Sequence, residues 1–470
     1  MLRKVFIIFA FTLLSLQLAV SHAAGSKATG WTSPVQVSPT GNPDPTRGAQ
    51  VNSIAVNASG LALATWDQYY YTNNGGSTIG ANVETNGRWG TPATISDPAK
   101  YSDRSVAAVG GDGTMVVAWA SQEMAGNVRT IEVAVRPAGI TSWSAPEVLA
   151  TGSIRVSPDP SSVRVAMNAE GHAWVAWSLY NSATGHYEVQ AAYMAPGSYS
   201  FGSPFTLTPE GESGVQPALA LNEKGDVAIA WAGEIWTSIN NINAISMRKG
   251  SSSGFGPVVR LTPDLNHYTG YVNSPAVCLD GQNLSKVTWF GAGVQGNIET
   301  ALGLWAVDPA GVPMTIISPI NSSTSFITPS LACDAQGNAI ASATLFDATV
   351  GVQRAQVWAA TLAAGSGAWN PAAKLTGLNP SKTEDIAASQ AVMSPDGALA
   401  YIAYVDHYNG VVKSMHRNAT GWGIPYTLGK TTRVSGFAEV VNGDAASGTQ
   451  ARVLWKTSGG MVHMASDWKP

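Results

Sequence analysis

Residues 53–66 read SIAVNASGLALATW, from Ser53 to Trp66, and this stretch decides the architecture. Residues 53–57 alternate in character as a short strand does. Asn57, Ala58, Ser59 and Gly60 form a turn in which the glycine is free to take positive φ. Residues 61–66 are small or β-branched and end on Trp66, which reads as a second strand. Two strands joined by a tight turn are a hairpin. A lone hairpin is marginal in water, so this one needs neighbours.

The neighbours are further versions of the same stretch, at 106–119, 163–177, 217–231, 275–289, 329–343, 390–404 and 437–455. Their turn glycines are Gly113, Gly171, Gly225, Gly337, Gly397 and Gly448, and Asn283 stands where the fifth copy lacks one. Asparagine is the next most tolerant residue for a left-handed turn. A repeat of roughly fifty to sixty residues is the mark of a repeat architecture.

A second phrase follows each hairpin: Trp89-Gly-Thr-Pro92, Trp143-Ser-Ala-Pro146, Phe201-Gly-Ser-Pro204, Phe255-Gly-Pro257, Trp369-Asn-Pro371 and Trp422-Gly-Ile-Pro425, with a weaker Gly311-Val-Pro313. Proline is tolerated on edge strands, so the phrase is read as the outermost strand, D, of a four-stranded unit whose hairpin is A–B. One copy, Trp31-Thr-Ser-Pro34, precedes all hairpins, and the last hairpin lacks one. Pairing the two closes a ring and removes its open edges.

The fold expected is therefore all-β: one eight-bladed β-propeller of four-stranded antiparallel blades, closed by the N-terminal strand in the last blade, with seven blades as the alternative. The expected blades are 49–97, 104–151, 161–209, 215–263, 273–318, 327–377, 387–430 and 436–470 plus 29–39, all within a domain at 24–470.

Two columns in strand A fit blade-on-blade packing. One is small (Ala55, Ala108, Ala166, Ala220, Cys278, Ala332) and the adjacent one mostly large (Val56, Val109, Met167, Leu221, Leu279, Cys333, Met393). Neighbours along a strand face opposite ways, so small can meet large between blades. The Trp column ending strand B is expected to wedge the same interfaces. Cys278 and Cys333 have opposite parity in adjacent blades. In an exported chain they are either a disulfide or two buried thiols.

Residues 1–23 combine Arg3 and Lys4, an apolar run and a small-residue cleavage site, which reads as a signal peptide and predicts a secreted or periplasmic protein. Formal charge is −4, or 24 − 30 = −6 after loss of Arg3 and Lys4, which argues against nucleic acid and anionic membrane as partners. Charged residues are 12% of the chain, about half the usual share, and Gly, Ser, Thr and Asn fill the surface instead. No zinc, phosphate-loop or Ser/His/Asp pattern stands out, so no cofactor, metal or catalytic residue is expected. A monomer with no membrane span after cleavage is expected.

The A–B and C–D turns are short. The B–C and D–A loops, which share the opposite rim, read as long and rich in aromatic and polar residues. The ligand-binding candidates there are Tyr69, Tyr70, Tyr71, Tyr180, Tyr187, Trp236, His267, Tyr268, Tyr271, Asp406, His407 and Tyr408. Aromatic rings beside Asn, Gln and Asp suit an uncharged sugar or a protein surface. The primary expectation is a binding scaffold for a glycan or protein partner. One alternative is a polysaccharide hydrolase or lyase, drawing on Asp67, Glu123, Glu234, Asp347 and Asp406, just past strand B. Another is a structural or assembly protein.

The Ile140-Thr-Ser-Trp143-Ser-Ala-Pro146 phrase resembles the blade endings of sialidase-like bacterial propellers. That resemblance implies a propeller but supplies no catalytic residue. The Asp-box is unmatched, Ser394-Pro-Asp396-Gly397 coming nearest, and no arginine triad is assignable among Arg47, Arg104, Arg155, Arg164 and Arg433. Eight blades are also similar to the quinoprotein dehydrogenases, whose Trp repeat motif is not reproduced.

Overall fold

The computed structural model describes residues 30–39, 48–69, 76–154, 162–236, 241–262, 272–295, 298–307, 313–318, 324–347, 354–377, 386–418, 421–431, 437–441, 449–457 and 461–468. The predicted leader and Tyr70, Tyr71, His267, Tyr268 and Tyr271 lie outside them. Among the described residues every regular element is a strand and there is no helix, so none long and apolar enough to cross a membrane. The strands form seven sheets, six of four or five strands and one of eight.

The quoted stretch is the first hairpin. Ala49–Val56 and Ala62–Tyr69 pair antiparallel, Ser77–Thr85 adds the third strand, and Arg88–Trp89 with Ala93–Thr94 makes the fourth. The outer strand is broken in two because Pro92 has no amide to donate to the ladder. The same order recurs along the chain. The eight-stranded sheet is two such units, Lys100–Val109 to Glu147–Ser153 and Ser162–Met167 to Phe205–Thr206, joined at Ser153 and Tyr180.

The two chain ends meet in one sheet. Gly30 and Trp31 pair with Trp468 and Asp467, and Val35 and Gln36 pair with Met464 and His463. The Thr32 and Val37 amides donate to the Ser466 and Val462 carbonyls, both at 2.8 Å, with Pro34 placed between. First strands of successive units pack on one another, and Ala49–Val56 also packs on Phe437–Val441 of the last.

The expected Trp wedges are present. Trp66, Trp119, Trp177, Trp231, Trp289 and Trp455 are all buried. Each packs against the preceding unit: Trp66 on Leu454 and Val462, Trp119 on Leu63 and Ile79, Trp455 on Val405 and Val412. Fully burying such a ring is worth several kcal/mol, so these interfaces are a main source of cohesion. A Cβ on Gly80 would run into the Trp66 indole, which explains a glycine in mid-strand.

The turns behave as their residues predict. Gly60, Gly113, Gly171, Gly225, Gly337 and Gly397 have φ between 71° and 100°, and Asn283 takes φ 61° in the glycine's place. Gly448 lies outside the described residues. Cys278 and Cys333 form a disulfide with Cα atoms 5.9 Å apart, joining first strands of adjacent units.

One expectation is corrected. Several stretches read as long B–C loops are strand. Tyr69 ends Ala62–Tyr69, Tyr180 lies in Ala173–Asn181, Tyr187 in His186–Met194, Trp236 ends Val227–Trp236, and Asp406 ends Ala400–Asp406. Aromatic and β-branched residues continue each hairpin past its Trp because cross-strand partners await them, as Tyr180 does opposite Tyr187. The connections at 182–185 and 407–410 are four-residue turns.

Candidate functional site

The B–C and D–A ends of the first two units carry a polar cluster on the described rim. Ala62–Tyr69 ends in Asp67, Gln68 and Tyr69, and Lys100–Val109 opens with Lys100, Tyr101, Ser102 and Asp103. A bulge separates Asp103 from Val106, and Arg104 sits in it at φ 61°. A non-glycine residue there is strained, so something must hold it. Asp67 does so. Its carboxyl accepts the Asn52 side-chain amide, the Arg104 backbone amide at 3.3 Å and the Ser105 amide. Asn52 also donates to Ser105 Oγ at 2.8 Å. A different hold serves the bulge between the fourth and fifth units, where the Gln216 side-chain carbonyl accepts the amide of Ser274, itself at φ 49°, at 2.9 Å.

Asp67 is buried, and burial first, then the nearby Asp103 charge, pushes its pKa up to about 7. Asp103 is held by the buried Arg129 at 2.5 Å, with Arg104 Nε at 3.7 Å. Burial, Asp67 and Tyr101 together push the Tyr69 phenol up. Lys100 binds Glu132 at 2.7 Å and Glu123 at 3.6 Å. The bond to Glu132 is the main reason the Lys100 pKa is raised.

The other sequence candidates are not gathered here. Tyr180 packs against the buried Tyr187 in the third unit, ring centroids 5.3 Å apart and planes tilted by 56°. Trp236 pairs across its hairpin with Asn241 in the fourth, and its side chain lies outside the described residues. In the seventh, the buried Asp406 accepts Asn409 Nδ2 at 2.7 Å and Lys413 Nζ at 2.9 Å. That carboxylate organises its own turn. Tyr408 in the same turn is 61% exposed, and His407 precedes it. The side chains of Glu234 and Asp347 lie outside the described residues.

Sequence reading missed Tyr101, Asp103 and Arg129. It also missed a column three residues before the turn residue at positive φ in six of the units, Asn57, Asn168, Asn222, Asp280, Asp334 and Ser394, with Gly110 in that place in the second. These side chains cap their own turns, and the asparagines also reach the next unit. Asn57 Nδ2 donates to Gly110 O at 2.9 Å and Asn168 Nδ2 to Asn222 O at 3.0 Å. The spacing was visible; its reach to the next unit was not.

At the seam, Arg452 Nε lies 2.8 Å from Glu84 Oε2 and its Nη2 donates to Gly60 O at 3.1 Å, with both charged groups buried. A cavity of about 770 Å³ lies beside them on the outer flank, lined by Val35, Gln36, Arg88, Trp89 and Met464, away from the rim cluster. Among the described residues no three His, Cys, Asp or Glu side chains are placed to hold a metal ion.

No family model matches the chain, so the sialidase-like phrases stand without family support. No curated protein matches it either. Among solved structures, it is similar to a Penicillium chrysogenum α-L-arabinanase complexed with arabinobiose, at 11% identity over 93% of this chain and 98% of that one, TM-score 0.47. It is similar to the β-propeller domain of the Trilobed protease from Pyrococcus furiosus, at 10% identity over 82% and 98%, TM-score 0.46. A polysaccharide lyase of family PL25, an ulvan lyase, gives 12% identity over 88% and 93%, TM-score 0.43. At these scores the likenesses transfer no residue, substrate or reaction to this chain.

Proposed function

We propose that the chain is an exported eight-bladed β-propeller that binds a glycan on the rim formed by its B–C and D–A connections. The N-terminal strands in the last sheet, and the packing of the first unit's inner strand on the last unit's, support the ring and the blades as delimited above. The observation that supports binding over catalysis is how the described rim carboxylates are engaged. Asp67 holds backbone amides, Asp103 holds Arg129, Glu123 and Glu132 share Lys100, Glu212 holds Arg260, and Asp406 holds Lys413. An acid tied to internal donors is poorly placed to protonate a glycosidic oxygen. Tyr408 meanwhile offers an exposed ring, the element that sugars stack on.

A glycan array with the leaderless protein tests this. Binding to a defined glycan class, weakened at least tenfold in Tyr408→Ala or Trp236→Ala with unchanged melting temperature, is the expected result. Wild-type binding by both variants removes the rim assignment. One observation favours a second reading, polysaccharide cleavage: Asp67 keeps its proton to about pH 7 beside Asp103 and Tyr69. Release of reducing or unsaturated ends from the bound glycan, lost in Asp67→Asn, would establish that reading instead.

A further inference from the structure

We propose that the cavity between the outer strands of the last and first units is a second carbohydrate site, which takes an uncharged sugar segment on the flank of the ring. The proposal rests on the glycan-binding reading for its ligand class and goes beyond it by adding a site away from the rim.

The cavity, of about 770 Å³, falls within the roughly 300–1,000 Å³ of ordinary ligand pockets. One wall is the outer strand of the last unit, at Thr32, Val35 and Gln36, and the other is Trp89 with Gly90 and Pro92 of the first. Trp89 pairs opposite Glu84 and packs half-buried on the core of the seam, so the wall it forms is rigid. Val35, 47% exposed, and Met464 add apolar surface. Gln36 and Thr32 bring an amide and a hydroxyl already oriented by one hydrogen bond each. Gln36 Nε2 donates to Ser38 O at 2.9 Å, and Thr32 Oγ1 accepts the Ser466 amide at 3.0 Å.

Glu84 and Arg88 are the charged residues of the lining. The buried Arg452 meets the Glu84 carboxylate at 2.8 Å, and Arg88 is exposed. The recess therefore sets neutral donors and acceptors beside an indole wall, with its carboxylate already compensated. A neutral sugar matches that mixture, since it has an apolar ring face and a rim of hydroxyls.

The same plan recurs one unit on. A smaller cavity of about 310 Å³ lies between the first unit's outer strand, at Gly90, Thr91 and Ala93, and Trp143 of the second. The two tryptophans hold equivalent places: the Gly90 amide after one donates to Val83 O, and the Ser144 amide after the other to Val135 O. The outer-strand phrase thus builds a groove as well as a strand, and the groove is widest at the seam. A polypeptide strand is the poorer occupant. It needs a run of unpaired backbone groups to pair with, and both bounding outer strands are broken after two residues, at Pro34 and Pro92.

The test is calorimetric titration of the full leaderless protein with neutral oligomers of glucose, xylose, mannose and galactose. A chain carrying both rim substitutions, Tyr408→Ala and Trp236→Ala, is expected to keep binding one of them. Adding Val35→Trp, which fills the cavity from an exposed edge strand, should weaken that remaining binding at least tenfold, and adding Arg88→Ala at least threefold, both without change in melting temperature. Loss of all binding in the rim variant, where wild type binds, overturns the flank site and leaves the rim reading standing. Remaining binding untouched by Val35→Trp and Arg88→Ala also overturns it. Wild-type affinity in the rim variant, lost on adding Val35→Trp, supports the flank site and removes the rim assignment. No binding of any neutral oligomer by wild type overturns the flank site, and the glycan array then decides the rim reading alone.

Discussion

Replacing Asp67 with asparagine should make the protein more stable at neutral and alkaline pH and leave it almost unchanged in acid. The reason is the carboxyl's environment. Unfolded, Asp67 releases its proton near 3.8; folded, it keeps it to about 7. Between those values the native state binds more protons than the unfolded state, so stability falls as pH rises through the window, and above it the deficit is constant. A tenfold difference in proton affinity between the two states is worth about 1.4 kcal/mol, so the deficit is at most about 4 kcal/mol at pH 8 and vanishes near pH 4. Asparagine carries no charge to desolvate. Its carbonyl can still accept the Arg104 amide, while Asn52 turns its own amide around to accept from the new NH2 and from Ser105 Oγ. Urea unfolding of wild type and Asp67→Asn across pH 4 to 9 measures the difference. A gap that opens in the variant's favour between pH 4 and 7 and then levels off supports the reasoning. A variant less stable by the same amount at every pH refutes it, because the ionised carboxylate would then be the form that holds the bulge.

The buried Arg452–Glu84 pair spans the seam, so Arg452→Met or Glu84→Gln alone should cost about 3–5 kcal/mol by stranding the partner's charge, and the double variant should recover much of it; urea midpoints in a double-mutant cycle read this. Cys278→Ser opens a loop of 55 residues and should lower stability by about 4 kcal/mol on the chain-entropy estimate, checked against the reduced wild type. Asn283→Gly relieves φ 61° and should raise stability by roughly 0.5 kcal/mol, visible as a small rise in melting temperature.

The repeated hairpins, their turns and the Trp wedges were legible because each depends on a local rule. A glycine fits positive φ, alternation sets a strand's faces, and a large ring at a fixed register must be buried somewhere. Asn283 shows the rule surviving a substitution. The outer strand was legible as a strand, but its break at Pro34 and Pro92 emerged only in the structure. The strand ends were not legible: Tyr180 reads as loop until its cross-strand partner Tyr187 is known. The bulge clamp around Asp67 and the Arg452–Glu84 pair were hidden because they join different units, and nothing local in QARVLW marks Arg452 as a seam residue. The candidate site was legible as a rim and as a composition. Which rim residues serve the fold, as Asp406 does, and which face outward, as Tyr408 does, emerged only with their partners in place.

The account rests on the N-terminal strand completing the last sheet. Gln36 and His463 are partners across that pairing, next to the hydrogen-bonded Val37 and Val462, so they occupy a close, non-hydrogen-bonded position. Cysteines placed at both, Gln36→Cys with His463→Cys, fall within reach of a disulfide. Mass spectrometry of the unreduced, protease-cut double variant should find the two ends of the chain covalently joined beside an intact Cys278–Cys333 bond. Free thiols at both new positions in folded protein would contradict the closure.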